Sequence, residues 1–388
     1  MIGTMSAVRV AVLLLLGLGF RATADITRLD LDSSGAGYPV YRIPALAVTK
    51  AGTLLAAYDA RPSMNDLPSS IAIVLRRSVD GGGSWGERQI VRSGSATEGF
   101  GDPSLLVDRT TGRIFLFYAA AVHQGYFGSK MGTALDDPDI LQADLSWSDD
   151  DGISWRHRRL TSELKNPAWG GLFASSGAGI QLRHGPHAGR LIQQYAIRYQ
   201  GANYAASAYS DDHGATWRMG ALAGPGLDEN RTVELADGSV MLNSRARPYR
   251  KVAISTDGGL TYTGLHADRA LVDPGNNGSI IRYDADAPPD DPRAHWLLFS
   301  NTADTSDRKD LTVRLSCDDG RTWLVRRTVE PGAAAYSSLA KLQNGAVGLL
   351  YERGDYQHIT FAKFDLAWLD RCGDTSVPPP PSPGTQDR

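Results

Sequence analysis

The chain is short of several things. It has two cysteines among 388 residues, which excludes a disulfide-dense mini-scaffold and a multi-cysteine metal site. It has no excess of either charge: 40 Lys and Arg oppose 43 Asp and Glu, for a formal net charge of −3. Nothing in that balance points to nucleic acid as a partner. Lysine is scarce, and seven Lys leave 33 of the 40 basic residues as Arg, whose planar fork grips carboxylates. No cluster has metal-ligand spacing, and no long amphipathic helix is legible. The apolar run Val10 to Phe20 is too short to span a bilayer comfortably. It follows Arg9 and precedes the small-x-small pattern Ala22-Thr23-Ala24. It reads as a secretory signal over residues 1–24, with a mature, secreted chain starting near Asp25. A retained anchor is the alternative. Residues 374–388 include Pro378-Pro379-Pro380-Pro381-Ser382-Pro383, an extended linker or disordered tail.

What is abundant is repetition. The phrase Ser-x-Asp-x-Gly-x-Thr-Trp occurs as Ser78–Trp85, Ser148–Trp155, Ser210–Trp217, Ser255–Tyr262 and Ser316–Trp323. The copies start 70, 62, 45 and 61 residues apart, a spacing that suits one four-stranded sheet per repeat. Each copy reads as a hairpin turn: the Asp accepts from backbone N–H groups, the Gly supplies a positive φ, and the Trp packs between sheets. These Asp residues are scaffold. Short strand-like runs such as Thr53–Tyr58, Ile71–Arg76, Ile114–Ala119, Val240–Asn243 and Val347–Tyr351 are bounded by Gly, Asp, Asn or Pro, so the class is all-β. Five boxed blades and one boxless blade, closed by pairing the N- and C-terminal strands, predict a six-bladed β-propeller over residues 25–373. Cys317 in the last box and Cys372 near the end of the fold are candidates for one disulfide, with two free thiols as the alternative.

Loops from every blade converge on a propeller's axis, so a site there draws single residues from distant places. Candidates are Arg42 in Tyr41-Arg42-Ile43-Pro44, Arg61 and Asp66 in one polar loop, Asp102, Glu234, Arg250, Arg314, Tyr336 and Glu352. Each alone has a bland reading as an outward strand residue or a core tyrosine. Together, three Arg in separate strands suit a carboxylate, and an acid, a Tyr and a Glu can divide the work of acid, nucleophile and base.

These motifs, with phrases such as His184-Gly185-Pro186-His187 and Leu242-Asn243-Ser244-Arg245, closely resemble the catalytic domain of secreted bacterial exo-sialidases, from about Asp25 to Cys372. The resemblance implies hydrolysis of terminal α-linked sialic acid from glycoconjugates, with net retention and without metal or cofactor. It implies an arginine triad of Arg42, Arg250 and Arg314 on the substrate carboxylate, with Glu352 holding Arg42. Asp66 is then the general acid with a raised pKa, Arg61 lies beside the substrate, and Asp102 sits near the N-acetyl group. Tyr336 is the nucleophile and Glu234 its base. Glu229 competes for the last role, and Arg245 and Arg247 compete with Arg250. Met64, Phe127 and Asn276 are candidate pocket walls. The implied partner is a sialylated glycan, bound by a monomer with no stable membrane association. Transfer to a sugar, action on a related 2-keto acid sugar, and a non-catalytic sialic acid-binding propeller are the alternatives.

Overall fold

The computed structural model describes residues 25–369 and Cys372; the signal and tail segments lie outside the described residues. Among the described residues the regular structure is nearly all strand, and the two α-helices, Thr161–Leu164 and Leu366–Leu369, have four residues each. Strand pairing gives five sheets. The largest has seven strands because Val325–Lys341 belongs to two neighbours. Its first part pairs with Lys309–Ser316, and its second part, from Ala334, pairs with Val347–Arg353. Divided at that point, the sheets comprise six four-stranded antiparallel meanders. The last is completed by Thr27–Ser33, which pairs antiparallel with His358–Phe364, so the two ends of the fold close on each other. This is a β-propeller. Among the described residues, no helix is long and apolar enough to cross a membrane.

The boxes form the turns between third and fourth strands of the first five meanders, and all five adopt one geometry. In the first, Ser84 N and Ser84 Oγ donate to Asp80 at 2.9 and 2.6 Å, while Ser78 Oγ donates to Asp80 at 2.8 Å and accepts from Gly82 N at 2.9 Å. Asp150, Asp212, Asp257 and Asp318 repeat this pattern. The fifth box position is Gly with φ between 79° and 87° in every copy, a left-handed backbone that glycine adopts without a steric penalty. Five acids are thereby consumed as scaffold. Cys317, in the fifth box, is bonded to Cys372 with a Cα–Cα distance of 5.8 Å, which ties the end of the chain to the fifth meander.

Direction along the meander positions the site. The first strand of each unit starts at one face and the second returns to it, so the third ends at the opposite face, where the boxes lie. Three first strands are irregular at their starts: pairing register shifts between Arg42 and Ala45, between Gly101 and Ser104, and between Ala334 and Ser337. Such bulges re-aim a side chain out of the ladder. Ile43 has φ 61° and Asp102 φ 62°. For a β-branched residue this is a strained conformation that the surroundings must impose. The three bulges turn Arg42, Asp102 and Tyr336 toward one cleft.

Candidate active site

The cleft has a volume of about 290 Å³ and is lined by Arg42, Asp66, Asp102, Glu229, Arg245, Arg308 and Tyr336, among others. Tyr336 is at its floor, 6% exposed. Its hydroxyl donates to Glu229 Oε2 and accepts from Arg245 Nη1 at 2.8 Å. Arg245 Nη1 also lies 2.5 Å from Glu229 Oε2. The guanidiniums of Arg42 and Arg308 lie over the phenol ring at 5.6 and 5.2 Å from its centroid. Burial, and then the charge of Glu229, push the Tyr336 hydroxyl well above its usual 10, although Arg245, Arg308 and Arg42 pull it down. The phenol is therefore neutral and hydrogen-bonded to a carboxylate, the arrangement of a nucleophile beside its base.

Glu352 is fully buried beneath Arg42 and Tyr336. Oε1 accepts from Arg42 Nε at 3.2 Å and Ile43 N at 2.8 Å, and Oε2 accepts from Tyr336 N at 2.9 Å. One carboxylate thus fixes the strained bulge and the backbone of the tyrosine. Tyr356 braces the other side: its ring lies 4.6 Å from the Arg42 guanidinium and its hydroxyl accepts from Arg308 at 3.1 Å.

Asp66 stands at the cleft mouth with its side chain 78% exposed. Arg61 Nη1 donates to it at 2.6 Å, and Arg42 Nη1 is 3.9 Å away. What burial it has raises its pKa, but Arg61, Arg42 and Arg308 outweigh this and hold it below 3.8. That reverses the raised value expected from the sequence, because the neighbouring arginines stabilise the charged form. Arg61 is itself buried and does not line the cleft; it joins Asp66 to the buried Asp59, to which it donates at 2.7 and 3.0 Å. Asp102 lies beside this pair, and its backbone N donates to Asp59 at 3.1 Å. Burial pushes Asp59 up to about 6, and pushes Asp102, further raised by Asp59, well above the usual range.

Three residues selected from the sequence lie elsewhere. Glu234 is at the far end of strand Asn230–Glu234, where its carboxylate accepts from the backbone of Arg183 and His184, each at 2.8 Å. Five residues of strand separate it from Glu229, about 17 Å at ~3.3 Å per residue. Arg250 is fully buried between sheets, bound to Asp273 at 2.6 Å and to the carbonyl of Asn276 at 2.8 Å. Arg314 is buried with Asn301 at 2.7 Å. The guanidiniums at the cleft are Arg245, just past strand Val240–Ser244, and Arg308, just before strand Lys309–Ser316. Arg245 and Glu229 are the sequence's alternatives to Arg250 and Glu234, whereas Arg308 and Tyr356 are not among its candidates. The signal for Glu229, Arg245 and Arg308 is meander direction, since each sits at the strand end away from its box. Of the candidate walls, Phe127 lines the cleft, whereas Met64 and Asn276 do not.

A protein-family model described as a BNR repeat-like domain matches residues 52–349. The chain is 52% identical over 362 residues to a sialidase of Micromonospora viridifaciens, an alignment covering 91% of this chain and 56% of that protein. It is 31% identical over 371 residues to a sialidase of Bacteroides fragilis, covering 90% of this chain and 65% of that one. It therefore spans less than two thirds of the length of either relative. Among solved structures, Hadza microbial sialidase Hz136 matches with a TM-score of 0.78 at 31% identity, over 86% of this chain and 67% of that one. The family model spans well over half of the sequence, and the chain belongs to the BNR repeat-like domain family.

Proposed function

We propose that the chain is an exo-α-sialidase that hydrolyses terminal α-linked sialic acid with net retention. The observation that carries this reading is the neutral Tyr336 hydroxyl bonded to Glu229 and ringed by Arg42, Arg245 and Arg308. The sugar's anomeric carbon bears a carboxylate, which would repel an incoming Asp or Glu. A phenol avoids that repulsion, and sialidases are the exception among glycosidases in using one. The three guanidiniums hold the sugar carboxylate. Tyr336 Oη attacks the anomeric carbon, and Glu229 takes its proton. The bond to the aglycone oxygen breaks as Asp66 delivers a proton to that oxygen. Water then attacks the sialyl-tyrosine, Asp66 takes the water's proton, and Glu229 returns a proton to the phenolate. Asp102, beside the ring, takes the N-acetyl side in its protonated form. The disulfide supports an oxidising, extracellular setting.

The direct test is release of fluorophore from an aryl α-sialoside by the purified chain. Rapid release, with retention at the anomeric centre by NMR, is the expected result. Binding of sialic acid without release would instead identify a lectin, and sialyllactose formed in added lactose would identify a transferase. Asp66 gives a finer expectation. It is ionised in the free protein and must be protonated to act, so kcat/KM on an unactivated glycoside falls as pH rises above the carboxyl range. An activated aryl glycoside needs less acid help and shows a weaker fall. Asp66→Asn should cost ~10²–10⁴-fold on the unactivated substrate and far less on the aryl one. Equal losses on both would remove Asp66 from the role of acid.

A further inference from the structure

Arg42, Arg245 and Arg308 surround Tyr336, and each of these long side chains needs a partner to aim it. Glu352 holds Arg42 at 3.2 Å and Glu229 holds Arg245 at 2.5 Å. Arg308 has no ion pair among the described residues. Its Nη1 donates to the Tyr356 hydroxyl at 3.1 Å, and its Nη2 donates to the carbonyl of Gly275 at 3.3 Å. Gly275 belongs to the segment between strands Thr263–Val272 and Ser279–Arg282, which joins the fourth meander to the fifth. That segment lies outside the strand ladders, yet Asp273, Gly275 and Asn276 are buried in it.

Asp273 gives the segment its shape. One carboxylate oxygen accepts from Gly275 N and Asn276 N, both at 2.7 Å. The other accepts from Arg250 Nη1 at 2.6 Å. The same Arg250 atom donates to the Asn276 carbonyl at 2.8 Å, and Arg250 Nε donates to the Asn243 side chain. Arg250 therefore grips both ends of the turn Asp273–Asn276 and ties it to strand Val240–Ser244. The Gly275 amide is turned toward Asp273, with φ at 81°, a left-handed backbone that costs glycine nothing. Its carbonyl is left to face Arg308. Arg250 and Asp273 are both fully buried. Apolar residues in place of a buried ion pair are often neutral or stabilising, so stability alone gives no reason for this one.

We infer that Arg250 and Asp273 are positioning residues for the arginine clamp: they fix the Asp273–Asn276 turn so that the Gly275 carbonyl aims Arg308 at the substrate carboxylate. Neither lines the cleft. The inference rests on the reading of the cleft as a sialoside site. An Arg308 that is not aimed beforehand must lose its rotamer freedom when substrate binds, which weakens binding ~2–10-fold for one long side chain. Arg308 meets the sugar carboxylate in the ground state and in the transition state alike. The effect therefore falls on KM and spares kcat.

The test is steady-state kinetics on the aryl α-sialoside. Asp273→Asn turns an NH₂ toward Arg250 or toward the two turn amides, and should raise KM ~2–10-fold with kcat near wild type. A merely structural role would do the opposite, lowering the folded fraction and hence the apparent kcat while leaving KM alone. Gly275→Ala keeps the buried ion pair and tests the turn even where Asp273→Asn fails to fold. A Cβ at this positive φ strains the turn directly, and the same rise in KM is expected. Arg308→Ala is the reference: it should raise KM ~10-fold or more, the loss of a charge-assisted hydrogen bond. Adding Gly275→Ala or Asp273→Asn to it should raise KM no further, because residues acting through one side chain are not additive. A wild-type KM in Gly275→Ala overturns the inference. So does a KM rise that persists in full in the Arg308→Ala background, or an Asp273→Asn protein with lowered kcat and unchanged KM. No turnover by the wild type would strike the proposed activity instead, and the same comparisons then run on the dissociation constant of free sialic acid.

Discussion

Glu229→Gln should lower sialoside turnover by ~10²–10⁴-fold, the usual worth of a positioned proton acceptor, whereas Glu234→Gln should leave turnover close to wild type. Both acids are buried at ends of one strand, and only Glu229 meets the tyrosine. Without Glu229 the phenol has no carboxylate to take its proton, and the rate depends on the small fraction ionised. The charge of Glu229 is the second cause, after burial, of the raised Tyr336 pKa. Removing it lowers that pKa while Arg42, Arg245 and Arg308 stay in place. On the activated aryl α-sialoside, which needs little help from Asp66, the residual activity of Glu229→Gln should therefore rise with pH, since hydroxide does the work of the lost base. Wild type shows no such rise, because its phenol is served at every pH where Glu229 is ionised. Tyr336→Phe removes the nucleophile and should cost ~10³-fold or more at every pH. A Glu229→Gln rate that is flat in pH, or a Glu234→Gln loss as large as the Glu229→Gln loss, would reject the pairing.

The contrast between those two glutamates also shows what a sequence can reveal. The five boxes, their spacing and the turn residues around short apolar runs carry the propeller, because repeated local chemistry is written in consecutive residues. Arg42, Asp66, Asp102, Tyr336 and Glu352 were legible because each breaks an apolar strand or follows one in a polar loop, and the structure brings all five to one region. Glu234, Arg250 and Arg314 break strands in the same way. Nothing local distinguishes them from Glu229, Arg245 and Arg308, which lie five, five and six residues earlier. For Glu234 and Arg314 the difference is which end of the strand faces the cleft; Arg250 stands near the start of its strand but is held inside the fold by Asp273. The box marks the opposite face, and Glu234 and Arg314 lie toward that face along their strands. The lowered Asp66 pKa is not legible for a related reason, since the approach of Arg61 and Arg42 to its carboxylate depends on a loop and a bulge that no repeat encodes.

Glu352→Gln should damage stability and catalysis together. Three donors, Arg42 Nε, Ile43 N and Tyr336 N, converge on two carboxylate oxygens inside the fold. An amide offers one oxygen and places an NH₂ against a donor at the other position. Either Tyr336 N, or both Arg42 Nε and Ile43 N, then loses its acceptor. Removing one partner of a buried ion pair costs ~3–5 kcal/mol. The positive φ of Ile43 adds strain of ~1–3 kcal/mol that is no longer opposed by its hydrogen bond. Relaxation of that bulge withdraws Arg42 from the cleft and lets Tyr336 drift, and a displacement of ~1 Å at a reacting group costs ~10²-fold. Chemical denaturation should report the lower stability, and steady-state kinetics should show a higher KM from the lost carboxylate clamp with a lower kcat from the displaced nucleophile. Arg42→Lys isolates one half of this. It keeps a cation beside Glu352 and leaves the Ile43 and Tyr336 backbone bonds in place, so KM should rise with little loss of kcat. A Glu352→Gln protein with wild-type kcat would mean that Tyr336 is positioned by its own strand, and that the carboxylate serves only Arg42.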